Sequence, residues 1–215
     1  MTARFMEVEL LVERGVLVPR LETELLGRTA LELLPDNARV IDMCCGSGNL
    51  ACALASHRPQ ARIWASDLTD ACVGLARRNA IHAGVAERVC VVQGDLFGGL
   101  SGRGLEGSID AVVCNPPYIS QAKLAGERAA LLESEPREAF DGGPYGLSIH
   151  QRVVREALPF LKPGGSLLFE IGLGQERQVK MLLERTRAYE GLRTVENAAG
   201  EVRVVAARKI NLRGN

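Results

Sequence analysis

From Arg39 to Ile171 the chain alternates short apolar runs with longer segments of helical period. Arg39–Met43, Arg62–Ser66, Arg88–Gln93, Ile109–Cys114 and Ser166–Ile171 read as strands of the fully buried kind. Asn49–His57, Asp70–Ala83 and Gln175–Tyr189 read as helices, with Thr69 as the N-cap of the second. Leu147, Ile149, Val153, Val154, Ala157, Leu158 and Leu161 recur at helical spacing. Alternation of this kind requires a mostly parallel sheet with helices on both faces, an α/β fold. Arg193–Glu196 and Glu201–Ala207, separated by Ala199-Gly200, would close it with an antiparallel edge.

Before that core, Leu21–Leu34 reads as a helix stopped by Pro35. Met6, Val8, Leu10 and Val12 alternate as one half-buried strand, and Val16–Val18 reads as its return after a turn at Gly15. The expected organisation is one domain over 1–215, with 1–19 as a hairpin extension and no separate N-terminal helical domain. Leu96–Gly107 holds five glycines and reads as a loop, and Ser120–Glu135 as a partly helical excursion over the active face.

Lys plus Arg is 26 and Asp plus Glu is 26, so the formal charge is zero. A domain built chiefly to grip nucleic acid would carry a basic footprint. Aromatic residues make up only 4% of the chain, so stacking platforms are scarce. No apolar run approaches the ~18 residues of a membrane span. Met1–Leu10 lacks the apolar core of a signal peptide. The six cysteines, Cys44, Cys45, Cys52, Cys72, Cys90 and Cys114, show neither a Cys-x-x-Cys pair nor zinc-ligand spacing to histidine. They read as reduced thiols, mostly small core residues, in a cytoplasmic protein.

Cys44-Cys45-Gly46-Ser47-Gly48 joins the Arg39–Met43 strand to a helix. Glycines let the backbone approach a ligand, and a helix N-terminus offers free N–H groups. Ala51 stands where the dinucleotide pattern would place its third glycine, and no Gly-Lys-Ser/Thr follows. Asp67 ends the second strand, 25 positions after Asp42. A carboxylate there can accept both hydroxyls of a ribose, or can serve as a cap residue. Asp95-Leu96 follows the third strand, where Asp95 can accept the exocyclic amine of adenine, or simply serve a turn. All three features lie at carboxyl ends of successive strands, where open α/β sheets bind ligands.

The fourth strand runs into Asn115-Pro116-Pro117-Tyr118. Two prolines fix the backbone and remove two donors. The Asn115 and Pro116 carbonyls, with the Asn115 amide, then offer acceptors to a planar nitrogen that bears N–H.

Asp42 to Gly48, Asp67, Gly94-Asp95-Leu96-Phe97 and Asn115 to Tyr118 resemble the S-adenosyl-L-methionine (SAM)-dependent methyltransferases with a seven-stranded Rossmann-like sheet. Val16 to Glu24, Glu135 to Gly143, and Ala199-Gly200 leading to Arg203-Val204-Val205 narrow the resemblance to the protein-(glutamine-N5) methyltransferases of release factors or a ribosomal protein. Leu21 stands where that family usually has a second proline, Cys44 where many members have glycine, and only 18 residues precede Pro19. The resemblance implies SAM as cofactor. It places the methionine end against Cys44, Cys45, Gly46, Ser47 and Gly48, the ribose on Asp67, and the adenine near Asp95 and Leu96, with Asn115 also counted among the SAM-binding residues. Asn115 and Pro116 would accept the N–H groups of the nucleophile, and Tyr118 would stack on it. Neither a metal nor a catalytic histidine is required. His57, His82 and His150 read as structural or solvated, Glu170 and Asp141 as structural or loop-positioning. Arg20 and Arg137 could hold either a substrate carboxylate or a neighbouring loop.

The expected acceptor is a protein glutamine in a release factor or ribosomal protein. The alternative is a small-molecule amine or amide of a specialised pathway. A non-catalytic SAM-binding subunit is disfavoured by the intact Asn115 to Tyr118 motif, and nucleic acid by charge and aromatic content. An exposed Met6–Val12 edge would invite pairing with a partner chain, including a homodimer.

Overall fold

Strand β3 (Arg39–Met43) has both faces buried, because its residues alternate between two separate cores. Val40 points into a layer formed by α1 (Glu24–Leu33), α2 (Asn49–His57) and α3 (Asp70–His82). Ile41 and Met43 point into the opposite layer, formed by α5 (Ser148–Glu156) and α6 (Glu176–Thr186). This is the arrangement that continuous apolar strands demand. It is seen in a computed structural model that describes residues 1–126, 132 and 135–211.

The other strands of the sheet are β4 (Arg62–Asp67), β5 (Val89–Gln93), β6 (Ile109–Cys114), β7 (Leu161–Glu170), β8 (Tyr189–Glu196) and β9 (Val202–Lys209). Their order is β5-β4-β3-β6-β7-β9-β8; β9 runs antiparallel to both of its neighbours, β7 and β8, and the other six strands run in one direction. The expected seven-stranded Rossmann-like sheet and its antiparallel edge are therefore present. Strand β7 starts earlier than the sequence indicates. It begins at Leu161 and absorbs Pro163-Gly164-Gly165 as an irregularity between the pairs Ile109↔Leu161 and Ala111↔Ser166. The glycine-rich stretch after β5 opens with a 3-10 helix, Leu96–Leu100, rather than a plain loop. Within the Ser120–Glu135 segment, Gln121–Ala125 forms helix α4, and residues 127–131, 133 and 134 lie outside the described residues. Among the described residues no helix is long and apolar enough to cross a membrane.

The N-terminal hairpin exists, but its parts differ from the expectation. Its strands are β1 (Thr2–Phe5) and β2 (Val8–Leu11), and the turn is Met6-Glu7. Residues 16–18 form no strand. Both turn residues are left-handed, with φ of 45° and 65°. Such turns favour Asn and Gly, so Met-Glu gives no signal. Tertiary contacts hold it instead. The Met6 amide donates to Glu24 Oε1 (2.8 Å), its carbonyl meets His57 Nε2 (2.8 Å), and its side chain occupies the space left by Gly27 of α1.

Asn79 of α3 ties the hairpin to the glycine turn. Its Oδ1 accepts from the Leu11 amide (2.7 Å), and its Nδ2 donates to the carbonyls of Leu11 (3.1 Å) and Ser47 (2.9 Å). The residue is fully buried. Asn79→Ala would strand these backbone groups. It should cost roughly 2–4 kcal/mol, read as a lowered urea midpoint with unchanged slope; a midpoint equal to that of the wild type would refute this role.

Candidate active site

The register of the sheet assembles the site. Met43 of β3 pairs with Ser66 of β4 on one side and with Cys114 of β6 on the other. The next residues along, Cys44, Asp67 and Asn115, therefore lie side by side at the carboxyl edge. Cys114 in turn pairs with Phe169 of β7, which brings Glu170 to the same level. A cleft of about 590 Å³ opens over this edge, within the range of a drug-sized ligand site. Cys44, Gly46, Asp67, Asp95, Leu96 and Asn115 line it. Cys45, Ser47, Gly48, Pro116 and Tyr118 do not.

The turn over β3 needs left-handed backbone at Cys44 (φ 59°), Gly46 (54°) and Gly48 (76°). A Cβ on Gly48 would stand 3.0 Å from that of Ala76, so the second glycine lets α2 start close against α3. Cys45 and Ser47 are buried behind the cleft wall. Asp67 holds the turn from the next strand: Oδ2 accepts from the Gly46 amide (2.9 Å) and Oδ1 from the Thr69 amide (3.2 Å). Each carboxylate oxygen can accept more than one donor, so Asp67 serves the turn and still faces the cleft. Thr69 caps α3 as expected, accepting from the Cys72 amide. Asp95 is exposed and pairs with Arg152 Nη1 at 2.8 Å, a partner the sequence did not indicate.

Below the turn, Asp42 is completely buried. Its Oδ2 accepts from the Ala51 amide (2.9 Å), and Oδ1 has no partner among the described residues. Burial, reinforced by the Asp67 charge and opposed by the Ala51 bond, pushes the Asp42 carboxyl up to about 8.

On the other side of the cleft, Asn115 Nδ2 donates to Thr23 Oγ1 at 3.1 Å. Tyr118 hydroxyl donates to Glu170 Oε1 (3.2 Å), and Arg203 Nη2 donates to both Tyr118 Oη (3.3 Å) and Glu170 Oε1 (3.4 Å). Burial and the adjacent Glu170 push the Tyr118 phenol up to about 12, so it stays a neutral donor. Burial also raises Glu170 above its usual range, against the Thr23 hydroxyl, the Arg203 charge and the Tyr118 hydroxyl. His150 is buried, held down at about 4 by desolvation, and its Nε2 meets the Glu170 carbonyl at 3.3 Å. It is a structural histidine, as expected.

Residues 135–141 fold over the cleft, with Pro136, Arg137, Glu138, Ala139 and Asp141 in its wall. Arg20 pairs with Glu135, and Arg137 Nε with Asp141 Oδ2 (3.0 Å), so both arginines hold neighbouring loops. Gln175 clamps the chain after Tyr118, donating to the carbonyls of Tyr118 (2.9 Å) and Gly146 (3.2 Å). Its place at a helix start gave no hint of this. Thr23 and Arg203 lie within the segments that carried the family resemblance, but nothing in the sequence showed that Thr23 meets Asn115 or that Arg203 meets Tyr118 and Glu170.

The family model described as Methyltransferase small domain matches residues 22–198. A protein of Moorella thermoacetica named release factor glutamine methyltransferase is 40% identical over 205 residues, covering 94% of this chain and 71% of that protein. The chain belongs to this family. A relative of the same name from Gloeobacter violaceus is 36% identical over 206 residues, covering 95% of this chain and 71% of its own. Among solved structures, a release factor-specific protein-(glutamine-N5) methyltransferase of Alicyclobacillus acidocaldarius is 26% identical, with a TM-score of 0.54 over 90% of this chain and 94% of that one. A methyltransferase from Pyrococcus furiosus superposes with a TM-score of 0.67 at 16% identity, over 94% of this chain and 89% of its own, a likeness of fold. The glutamine methyltransferase family member described here is thus a SAM-dependent enzyme. The donor set of the cleft fits that cofactor: a carboxylate anchored beside a left-handed glycine turn, and a second carboxylate beyond the neighbouring strand.

The raised Asp42 carboxyl has a consequence for stability. Its folded pKa of about 8 exceeds the ordinary 3.8, so its contribution is complete below about pH 4 and is lost as pH rises toward 8. Within that window it should lower unfolding free energy by about 1.4 kcal/mol per pH unit. Asp42→Asn keeps an acceptor for the Ala51 amide and cannot ionise. Urea unfolding across the window should show a slope smaller by about one proton in this variant; parallel pH profiles would show that Asp42 is ionised throughout.

Proposed function

We propose that this enzyme methylates the side-chain amide nitrogen of a protein glutamine, with a release factor as acceptor. The relatives named release factor glutamine methyltransferase, at 30–40% identity over nearly the whole chain, support a protein acceptor over a free metabolite. The observation that carries the chemistry is the Asn115 amide. Its Nδ2 is committed to Thr23, which leaves Oδ1 as an acceptor at the cleft.

In this reading Asp67 receives the ribose hydroxyls of SAM, Cys44 to Gly48 border its methionine end, and Asp95 and Leu96 border its adenine. When bound, SAM supplies an electrophilic methyl group on its sulfonium, already activated for transfer. What remains for the protein is positioning. An amide nitrogen is a weak nucleophile because its lone pair is delocalised. Asn115 Oδ1 accepts one of its N–H groups, and the family resemblance gives the other to the carbonyl of Pro116, a buried residue beside the cleft lining; the two orient the nitrogen and stabilise positive charge as it develops there, until its surplus proton leaves to water. The Tyr118 ring is anchored through its hydroxyl and packed beside Gly172, outside the lining of the cleft, and its role of stacking on the planar amide rests on the family resemblance alone.

The direct test incubates the enzyme with labelled SAM and a bacterial release factor, followed by peptide mass spectrometry. A one-methylene increment on a glutamine is expected; methyl appearing only on small molecules of an added metabolite extract would overturn the protein acceptor. Asn115→Ala should fold and bind SAM but lose roughly 10²–10³ in turnover, and near-normal turnover would remove Asn115 from the chemistry. Asp67→Asn should weaken calorimetric SAM binding by roughly 10- to 100-fold, the equivalent of one charge-assisted hydrogen bond; unchanged affinity would remove the ribose contact.

A further inference from the structure

We propose that Arg203 and Glu170 are positioning residues for methyl transfer, which grip the Tyr118 hydroxyl and so fix the Asn115 and Pro116 acceptors. The proposal rests on the reading of those two groups as acceptors for the substrate nitrogen.

The chain between β6 and Tyr118 has little freedom of its own. Proline fixes φ at positions 116 and 117. Asn115 and Pro116 each precede a proline, which restricts them to extended backbone. Neither proline has an N–H, so no backbone donor can tether the turn between Asn115 and Tyr118. A short, stiff segment of this kind is aimed from its ends. β6 holds one end, through the pairing of Cys114 with Met43 and with Phe169. Tyr118 is the other end.

Tyr118 is held at three points. Its carbonyl accepts from Gln175 Nε2 at 2.9 Å. Its ring packs against Gly172, where a Cβ would stand 3.0 Å from Tyr118 Cδ2. Its hydroxyl enters a buried ion pair: it donates to Glu170 Oε1 (3.2 Å) and accepts from Arg203 Nη2 (3.3 Å), and the same Nη2 reaches Glu170 Oε1 at 3.4 Å. The Glu170 side chain is 3% exposed and that of Arg203 13%, so water competes little for the hydroxyl. A phenol that donates to a carboxylate and accepts from a guanidinium is fixed in two directions.

The sheet supplies both partners. Glu170 pairs with Val204 of β9, and the Ile171 amide donates to the Arg203 carbonyl at 2.9 Å. The end of β7 and the start of β9 are thus in register, and the acceptor turn is tied to both through one hydroxyl. Stiffness between Tyr118 and Asn115 carries that hold back to the cleft.

Tyr118→Phe removes the grip and keeps the ring, with any contact the ring makes to the acceptor. The Ile119 amide, bonded to the Phe140 carbonyl at 2.9 Å, reports on this end of the turn. In the 15N-labelled full-length protein its hydrogen exchange should be at least about tenfold faster in Tyr118→Phe than in the wild type, with the α2 amides unchanged. Equal exchange at Ile119 would overturn the grip, and faster exchange in both places would mark a general loosening and overturn it equally. This measurement needs no methyl acceptor, so it separates failure of the proposal from failure of the release-factor reading. With a release factor that is methylated, Tyr118→Phe should lower kcat by roughly 10- to 100-fold while calorimetric SAM affinity holds. Arg203→Met should do the same, and the double variant should be no slower than the slower single one, because each removes the same grip. Effects that multiply in the double variant would overturn the role of Arg203, and a normal kcat in folded Tyr118→Phe would overturn the whole proposal. If Arg203→Met does not fold, Arg203→Lys, which keeps the charge without the guanidinium fork, takes its place in the cycle.

Discussion

In β3, Met43 is paired in register with Ser66 on one side and Cys114 on the other, and this double pairing decides where Cys44, Asp67 and Asn115 of the candidate site stand. Parallel strands all end on the same edge. A side chain one position past the last paired residue therefore lands beside its counterparts from the neighbouring strands. Cys44, Asp67, Asn115 and Glu170 are four such residues. A one-residue slip in any of these pairings would turn a strand's apolar side chains to the other face. The two buried cores would resist that slip, so the geometry of the site inherits its accuracy from the packing of the sheet.

The edge carries its charges in two ways. Asp67 remains accessible to the cleft while two backbone amides grip its oxygens. Asp42 and Glu170 are buried, and desolvation raises both. Asp42 sits beneath the glycine turn with one unpartnered oxygen, which suits a protonated carboxyl. Glu170 likewise has one oxygen without a partner among the described residues, but its other oxygen meets the Tyr118 hydroxyl and the Arg203 cation. Breaking such a buried pair is expected to cost more than forming it contributes.

The loops above the edge are held by pairs that cross long stretches of sequence. Arg20 meets Glu135, Gln175 clamps Tyr118 and Gly146, and Arg137 closes the turn at Asp141. The surface pairs among them contribute little individually. Their effect is to bring the segment before α1 and the segment after Asn115-Pro116-Pro117-Tyr118 to the same wall of the cleft.

The sequence by itself determined the alternation of strands and helices, the helix caps and stops, and the residue types at the strand ends. These are local properties, written in apolar periodicity and in the chemistry of glycine, proline and carboxylates. Asp67 illustrates the limit: both readings available to it, a turn residue and a ligand acceptor, are compatible with its geometry. The N-terminal hairpin shows where local inference fails. The alternation of Met6, Val8, Leu10 and Val12 suggested one strand, yet Met6 and Glu7 form the turn because Glu24, His57 and the gap at Gly27 hold Met6 from outside. The meetings of Thr23 with Asn115, and of Tyr118, Glu170 and Arg203 with one another, were likewise beyond the sequence. Each residue was visible in its own segment, but their contact depends on the register of β6, β7 and β9 and on where α1 docks, and those are set by hydrogen bonds and packing between residues distant in the chain.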